Sequence, residues 1–415
     1  MQIIKFDAVS LMLNPFVLMF VTIALGLLFG KVKFGMFSFG TSGALFVGLI
    51  VGWAIYGFAQ KIYDAGDETA AGFKAAAQIM SGNGGKVIHT YFFSAALIVF
   101  VAAVGLLAAK DLGIVLKKYG AKFVVLGLLI TFIGAGATYA CTAFCKGTNQ
   151  YAVTGVYTGA MTSSPGLASA LETAELQATD LANHYEQESA LNRQALIRVL
   201  TLNEKYAGLT EENTPVLTDE MKQDFVNQAT AQVGIGSAVG YPFGVIIVIL
   251  AVNLLNVIFR FDIEEEKKKY RQEMNAAKSV QGIRQIPTSD FSIISFTIVC
   301  AVGYLIGSIK LYMGPLGYVS LESTGGVLIG ALLLGYIGKI GPLSFRMDAK
   351  VLGIIRELGL AFFLAIVGLN YGYGAVDALT GSGITLALVS LFVGTVSIMA
   401  GFFVGRYLFK LNWIM

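Results

Sequence analysis

Residues 159–171 read G-A-M-T-S-S-P-G-L-A-S-A-L. Three consecutive hydroxyls, on Thr162, Ser163 and Ser164, run into Pro165, with glycines at 159 and 166. In water this is an ordinary loop, but the rest of the chain does not read as a chain in water. Of its 415 residues 56% are hydrophobic and 13% charged, with mean hydropathy +0.71, where globular chains carry about 25% charged residues. So little charge cannot coat a surface of this size, and lipid is the expected solvent. The 49 glycines, against seven prolines, suit helices that pack closely without a hydrophobic force between them. A net charge of +3 is too small to point to a nucleic acid.

Runs of spanning length, about 20 apolar residues each, fall near 12–30, 40–58, 88–109, 122–145, 236–259, 292–309, 323–340, 352–371 and 382–409. A shorter, more polar run covers 148–170. No cleavable leader is expected, because the run from Leu11 to Gly30 is long enough to remain a span. Residues 176–235 are soluble in character and helical in pattern, with a break at Thr214-Pro215. A charged linker follows at 260–290, where three acidic residues precede three basic ones. Cys141, Cys145 and Cys300 lack metal-type spacing, and His89 and His184 are far apart, so neither a metal, a heme nor a disulfide framework is expected.

The chain repeats itself. L-L-F-G-K-V-K-F-G (27–35) resembles L-I-G-S-I-K-L-Y-M-G (305–314). G-T-S-G-A-L-F-V-G-L-I-V-G-W (40–53) resembles S-T-G-G-V-L-I-G-A-L-L-L-G-Y (323–336), and F-V-A-A-V-G-L (100–106) resembles F-L-A-I-V-G-L (363–369). Three matches in one order define two units of about four spans each. Loop charge orients them. The linker 260–290 carries seven Lys/Arg and is placed in the cytoplasm, with Lys339, Arg346, Lys350, Arg406 and Lys410. Lys31, Lys33, Lys110, Lys117, Lys118 and Lys122 belong inside as well, which turns the first unit upside down relative to the second. This is the inverted repeat of secondary transporters. The count of crossings then closes only if 148–170 enters and leaves on the same side, as a re-entrant hairpin. The segment 176–235 becomes an extracytoplasmic insertion, acidic overall: 171–235 holds eleven Asp/Glu against four Lys/Arg.

The expected fold is thus an all-α polytopic membrane protein with five parts. A first repeat covers 1–175 with its hairpin at 148–170, and the insertion covers 176–235. A linking span lies at 236–259, the linker at 260–290 and a second repeat at 291–415. Each hairpin arm of about ten residues rises about 15 Å, half the hydrocarbon thickness, so its tip sits near the midplane. Irregular backbone is tolerated there only against protein or a watery cavity. A helix starting after Ser164, with Pro165 at its first position, aims N–H groups and hydroxyls at a carboxylate. Gly159 and Gly166 are expected to permit the turn. Arg356, beside Glu357 at the start of an apolar span, is the expected cationic partner or else an interfacial anchor. Asn370 is a ligand or a helix cap, and Lys146 a guide for anions. None of these roles makes or breaks a bond, so no enzyme and no cofactor are expected.

G-K-V-K-F-G-M-F-S-F-G-T-S-G-A-L-F-V-G-L-I-V-G, the hairpin stretch, Y-P-F-G-V-I-I-V-I-L and R-E-L-G-L-A-F-F-L-A-I-V-G-L together resemble the aspartate:alanine exchanger family of bacterial secondary transporters. The resemblance implies a multi-pass protein of the bacterial cytoplasmic membrane. It would exchange small anionic or zwitterionic carboxylates and amino acids by an elevator-like motion. The chain departs from the family in lacking cytoplasmic domains between the units and in its longer insertion. It also ends at K-L-N-W-I-M, before a second hairpin. A separately encoded membrane subunit or a homo-oligomer is therefore expected to complete it. The alternatives are a scaffold or sensor subunit acting through the insertion, and a passive anion channel.

Overall fold

The computed structural model describes residues 7–34, 37–144, 149–259, 264–269, 272, 287–312, 318–380 and 383–411. Among them five helical stretches are long and apolar enough to cross a membrane: Gly40–Asp64, Thr90–Ala109, Gly120–Ala143, Ala349–Asp377 and Gly383–Leu408. Three apolar helices are shorter: Pro15–Gly30, Ile293–Gly307 and Ser323–Ile337.

The described chain opens with α1 (Ala8–Met12) and α2 (Pro15–Gly30). The Asn14 side chain accepts the N–H groups of Phe16 and Val17, and Pro15 occupies the first turn, so polar capping and a missing donor coincide where apolar helix begins. A two-stranded hairpin, β1 (Lys33–Phe34) and β2 (Phe37–Ser38), leads to α3 (Gly43–Asp64). The stretch from Ser292 has the same order of elements. Ser292 caps α11 (Ile293–Gly307), then β3 (Lys310–Tyr312) and β4 (Tyr318–Ser320) lead to α12 (Glu322–Ile337). Lys33 pairs with Ser38 and Lys310 with Ser320, so the matched lysines open matched hairpins.

Matched positions also make matched contacts. Gly26 lies against Ala44, and Gly303 against Val327. Gly48 of α3 meets Gly368 of α13 (Ala349–Thr380), while its counterpart Ala331 of α12 meets Gly105 of α5 (Thr90–Phe144), the counterpart of Gly368. Likewise Gly52 abuts Leu369, and Gly335 abuts Ala109 and Leu106. Each unit thus lays its second long helix on the other unit's third. Small residues at these crossings let backbones touch, the packing that works where lipid removes the hydrophobic drive.

Three boundaries differ from the sequence reading. The expected spans 88–109 and 122–145 are one continuous helix, α5, and the lysine-bearing stretch between them contains no proline to interrupt it. The expected loop 371–382 is helical through Thr380, so Asn370 sits inside α13 rather than at its end. The insertion is not a separate block either. α7 (Ser164–Asn183) runs into it, and α9 (Asp219–Ile258) runs out of it straight through 235. Between them lie α8 (Ala190–Leu200) and two short turns. The linker is described only as α10 (264–269) and flanking residues; β5 (Lys339–Ile340), β6 (Leu343–Ser344) and α14 (Gly383–Phe403) complete the second unit.

The insertion is tied to the start of α9. Tyr185 donates its hydroxyl to the Thr214 carbonyl at 2.8 Å, and Tyr206 donates to Asp224 at 2.6 Å. Arg193 donates from Nε and Nη2 to Glu211 Oε1, at 3.0 and 2.7 Å, and Gln194 to Oε2.

Two predictions follow from this packing. Gly52→Ala places a methyl 2.7 Å from Leu369 Cα, an overpacking that costs about 1–3 kcal/mol, whereas Gly57→Ala meets only the Tyr373 ring at 3.7 Å. The first is expected to lower the melting midpoint in detergent and the second to leave it; equal midpoints would refute the crossing. Second, the Arg193 and Gln194 hydrogen bonds hold the Glu211 carboxyl below its ordinary value. A depressed carboxylate stabilises above its unfolded pKa, about 4.3, and that support fades as pH falls through the lower folded value. Pepsin cleavage within 185–218 is therefore expected to rise as the pH is lowered from 5 to 3. In Glu211→Gln it should already be raised at pH 5 and depend less on pH.

Candidate functional site

The stretch 159–171 is a helix–turn–helix. α6 (Gln150–Ala160) starts at Asn149, whose side chain accepts from Tyr151 and Ala152, and lies in a groove of α9. Added Cβ atoms on Gly155 and Gly159 would strike the backbone of Val233 and Ser237, and those on Gly236 and Gly244 the backbone of Ala152 and Gly159. Gly159 therefore serves close approach to α9, not the turn, since its own φ is not left-handed.

The left-handed residue is Thr162, at φ +48°. Its N–H donates to the Gly159 carbonyl at 2.9 Å, and the Ser163 N–H donates to the Thr158 carbonyl at 3.0 Å. These two bonds are a Schellman motif with a threonine where glycine is usual. A β-branched residue there is strained, by about 1–2 kcal/mol. The chain then enters α7 at once: Ser163 caps it, its Oγ accepting the Gly166 N–H at 3.0 Å. Gly166 is required because a Cβ would meet that Oγ at 2.7 Å.

The expected bouquet of free N–H groups beyond Pro165 is smaller than the sequence reading had it. Pro165 has no N–H, the Gly166 N–H is taken by Ser163, and the Leu167 N–H donates to the Ser163 carbonyl at 2.9 Å. What the turn does face is hydroxyl-rich. A cavity of about 540 Å³ is walled by Thr131, Thr154, Thr158, Ser163, Ser169 and Thr173, with Tyr151 and Tyr157. The buried Tyr151 hydroxyl has no hydrogen-bond partner. No charged side chain stands among the described residues of this wall. Ser163 and Thr158 also face a small void with Ser237 and Tyr241, whose hydroxyl is 2.7 Å from Ser42 Oγ.

The other expected residues lie elsewhere. Arg356 is exposed and touches Glu357 at 3.4 Å; it lines none of the cavities around the turn. Lys146 lies outside the described residues. Asn370 uses its whole amide on one peptide: Oδ1 accepts from the Ile88 N–H at 2.7 Å and Nδ2 donates to the Ile88 carbonyl at 3.0 Å. That residue belongs to an irregular segment of turns and bends, 83–89, between a π-helical turn at 78–82 and α5, with Val87 and Ile88 fully buried.

The sequence reading passed over what lies beside it. Lys86, Glu172, Glu175 and Tyr371 share with Asn370 a cavity of about 50 Å³ on the opposite side of α7 from the hydroxyl chamber. The ammonium of Lys86 reaches Thr90 Oγ1 at 3.3 Å, and Glu172 accepts from Ser323 of α12. The signals were present: a glycine-rich run ending in lysine, S-G-N-G-G-K (81–86), and two glutamates three apart on one helix. Among the described residues no three of His, Cys, Asp and Glu converge as metal ligands.

Residues 18–257 and 295–415 match the family model Asp-Al_Ex, described as a predicted permease membrane region. The chain belongs to that family. It is a multi-pass membrane protein, as its apolar helices require. An uncharacterized transporter of Desulfotalea psychrophila is 31% identical over 35% of this chain and 27% of its own length. One of Bacteroides fragilis is 37% identical over 31% of this chain and 24% of its own. The chain therefore spans well under half the length of these relatives. No solved structure matches it.

Relieving the strain at Thr162 gives a direct check. Thr162→Gly is expected to raise stability by about 1 kcal/mol, read as a higher melting midpoint of the purified protein. A fall would mean that the threonine side chain holds the turn more than its dihedral strains it.

Proposed function

We propose that this chain is a secondary transporter that exchanges small carboxylates or amino acids across the bacterial cytoplasmic membrane. The observation that carries the reading is the α6–α7 turn, a capped and strained break between two helices that opens onto a hydroxyl-lined chamber. It stands within a chain of permease family whose two units exchange matched contacts. Relatives named as transporters support it. In this reading α6 and the start of α7 form a re-entrant hairpin, and the two units are inverted relative to each other. They alternate access by moving the hairpin with α9 and α14 against α3, α12 and α13.

Within the site, Thr162 and Ser163 present hydroxyls to the substrate; the Ser164 side chain lies outside the described residues. Pro165 removes one competing donor, and Gly159 and Gly166 hold the two arms close to α9 and to the cap. Ser163 keeps its hydroxyl proton available while its oxygen caps α7. Asn370 acts by fixing the 83–89 segment. Arg356, exposed and away from these walls, takes no part. Strain of the kind seen at Thr162 is often kept where function needs it.

Counterflow in proteoliposomes tests the reading. Unlabelled solute inside should drive uptake of the same labelled solute, drawn from a panel of amino and dicarboxylic acids, without net current. Ser163→Ala and Thr162→Gly are expected to lower the rate by about tenfold or more while the protein stays folded. Absence of counterflow for every solute would sink the proposal. Conductance without trans substrate would instead indicate a passive channel.

A further inference from the structure

We propose that the furrow between α5, α9 and α14, running from the α6–α7 turn to Arg406, holds one acyl chain of an anionic phospholipid whose phosphate sits at the basic end. The inference does not depend on the transport reading above.

The helices themselves build the furrow. α14 packs against α5 on one side and against α9 on the other. Leu126 and Ile130 of α5, Val248 and Leu255 of α9, and Ile398 and Phe402 of α14 wall a cavity of about 370 Å³. Its inner end reaches Ala160 and Met161 at the turn, and its outer end reaches Gly405, Arg406 and Leu411. At both ends the floor is glycine. A Cβ added to Gly394 would come no closer than 3.5 Å to the Ala160 carbonyl, and one on Gly405 no closer than 3.4 Å to Leu126. Length and width then choose the occupant. From Gly394 to Gly405 the helix rises by about 16 Å, half the hydrocarbon thickness of about 30 Å. The volume spread over that length leaves a channel about 5 Å across, too narrow for a helix of about 10–12 Å. One alkyl chain of a single leaflet fits it in both dimensions.

The outer end carries the charge that selects a lipid head. A π-helical turn, Val404–Leu408, follows α14, and Lys410 at φ +53° folds the chain back so that the Leu411 N–H donates to the Gly405 carbonyl at 2.9 Å. Arg406 donates to both carboxylate oxygens of Glu266, at 3.3 and 3.1 Å, and to the Leu411 carbonyl at 3.3 Å. Lys122 of α5 donates to the Phe409 carbonyl at 3.0 Å, which brings its ammonium to the same corner. Lys122 and Lys410 are exposed. Three cations thus stand around the Glu266 carboxylate. The neighbouring α10 charges pair among themselves, Lys267 with Glu264 at 3.0 Å and Lys269 with Glu265 at 2.7 Å, and Lys268 adds a further cation. A basic rim over an apolar slot between helices favours an anionic head group over a zwitterionic one. The inner end, at Ala160, Met161 and Gly394, presents no charged side chain among its described residues, as the methyl end of an acyl chain requires.

The test is lipid binding to the purified full chain, by native mass spectrometry and by thermal shift in mixed micelles. The probes are phosphatidylglycerol and phosphatidylcholine with the same acyl chains, and glycerol 3-phosphate as a head without a chain. One phosphatidylglycerol per chain is expected to stay bound and to raise the melting midpoint. Phosphatidylcholine should bind about tenfold more weakly, and glycerol 3-phosphate should leave the midpoint unchanged. Gly394→Leu, which sends a side chain into the inner end, should abolish the shift. Lys122→Gln combined with Lys410→Gln should lower phosphatidylglycerol affinity about tenfold and erase its advantage over phosphatidylcholine. Phe132→Leu, at an exposed α5 position outside the furrow, should change nothing. If Gly394→Leu fails to fold, the lysine pair and the lipid panel decide. Equal binding of the two lipids, no retained lipid, or full affinity in folded Gly394→Leu would mean annular lipid only and overturns the proposal. An equal shift from glycerol 3-phosphate would mark a plain anion site and overturn it as well.

Discussion

Where a chain leaves regular helix inside an apolar medium, every N–H and C=O it frees must find a partner, because no water is at hand. Two breaks among the described residues meet that demand in different ways. At 161–163 the backbone satisfies itself, with a Schellman pair closing α6 and the Ser163 hydroxyl opening α7. At 83–89 it borrows a side chain: the Asn370 amide serves as a one-residue strand for the Ile88 peptide. The first solution sits on the hydroxyl chamber and the second beside the charged cavity. α7 separates the two, with Ser169 and Thr173 toward one and Glu172 and Glu175 toward the other.

Close packing makes both solutions possible. α6 approaches α9 through Gly155, Gly159, Gly236 and Gly244, so the turn is held by backbone-to-backbone contact rather than by large side chains. α3 approaches α13 through Gly48, Gly52, Gly368 and Gly372, which brings Asn370 within reach of Ile88. Hydroxyl bonds across the same seams reinforce this. Ser390 donates to the Gly240 carbonyl at 2.7 Å, and Thr158 reaches Ser237 at 3.2 Å. Dispersion and a few polar contacts at short range replace the hydrophobic drive that lipid takes away. Small residues at aligned positions also stand at helix crossings, Gly52 against Leu369 and Gly335 against Ala109 and Leu106.

Some of this was legible residue by residue. Low charge and long apolar runs showed a polytopic membrane chain, because lipid imposes composition directly. The pairs Gly52/Gly335 and Gly105/Gly368 were visible as aligned letters, and Thr162 to Pro165 as a helix break. The partition of work among those letters was not visible. Gly159 looked like a turn residue because glycine permits turns, yet the turn fell to Thr162, since Gly159 was needed where α9 comes too close for a Cβ. Asn370 looked like a span end because apolar residues stop there, yet the helix continues because its polar successors face a vestibule rather than lipid.

The sequence by itself determined the solvent and the place where the helix must break. Each of these depends on composition or on neighbours along the chain. Only the tertiary structure decided which polar groups meet. Lys86, Glu172 and Tyr371 are about 85 to 285 residues apart along the chain. They share one cavity because the 83–89 segment, α7 and α13 meet there, and Arg356 lies outside it although it was the more conspicuous cation. Charge in a membrane acts over a few ångströms of low dielectric, so its partner is set by packing, which sequence spacing does not encode.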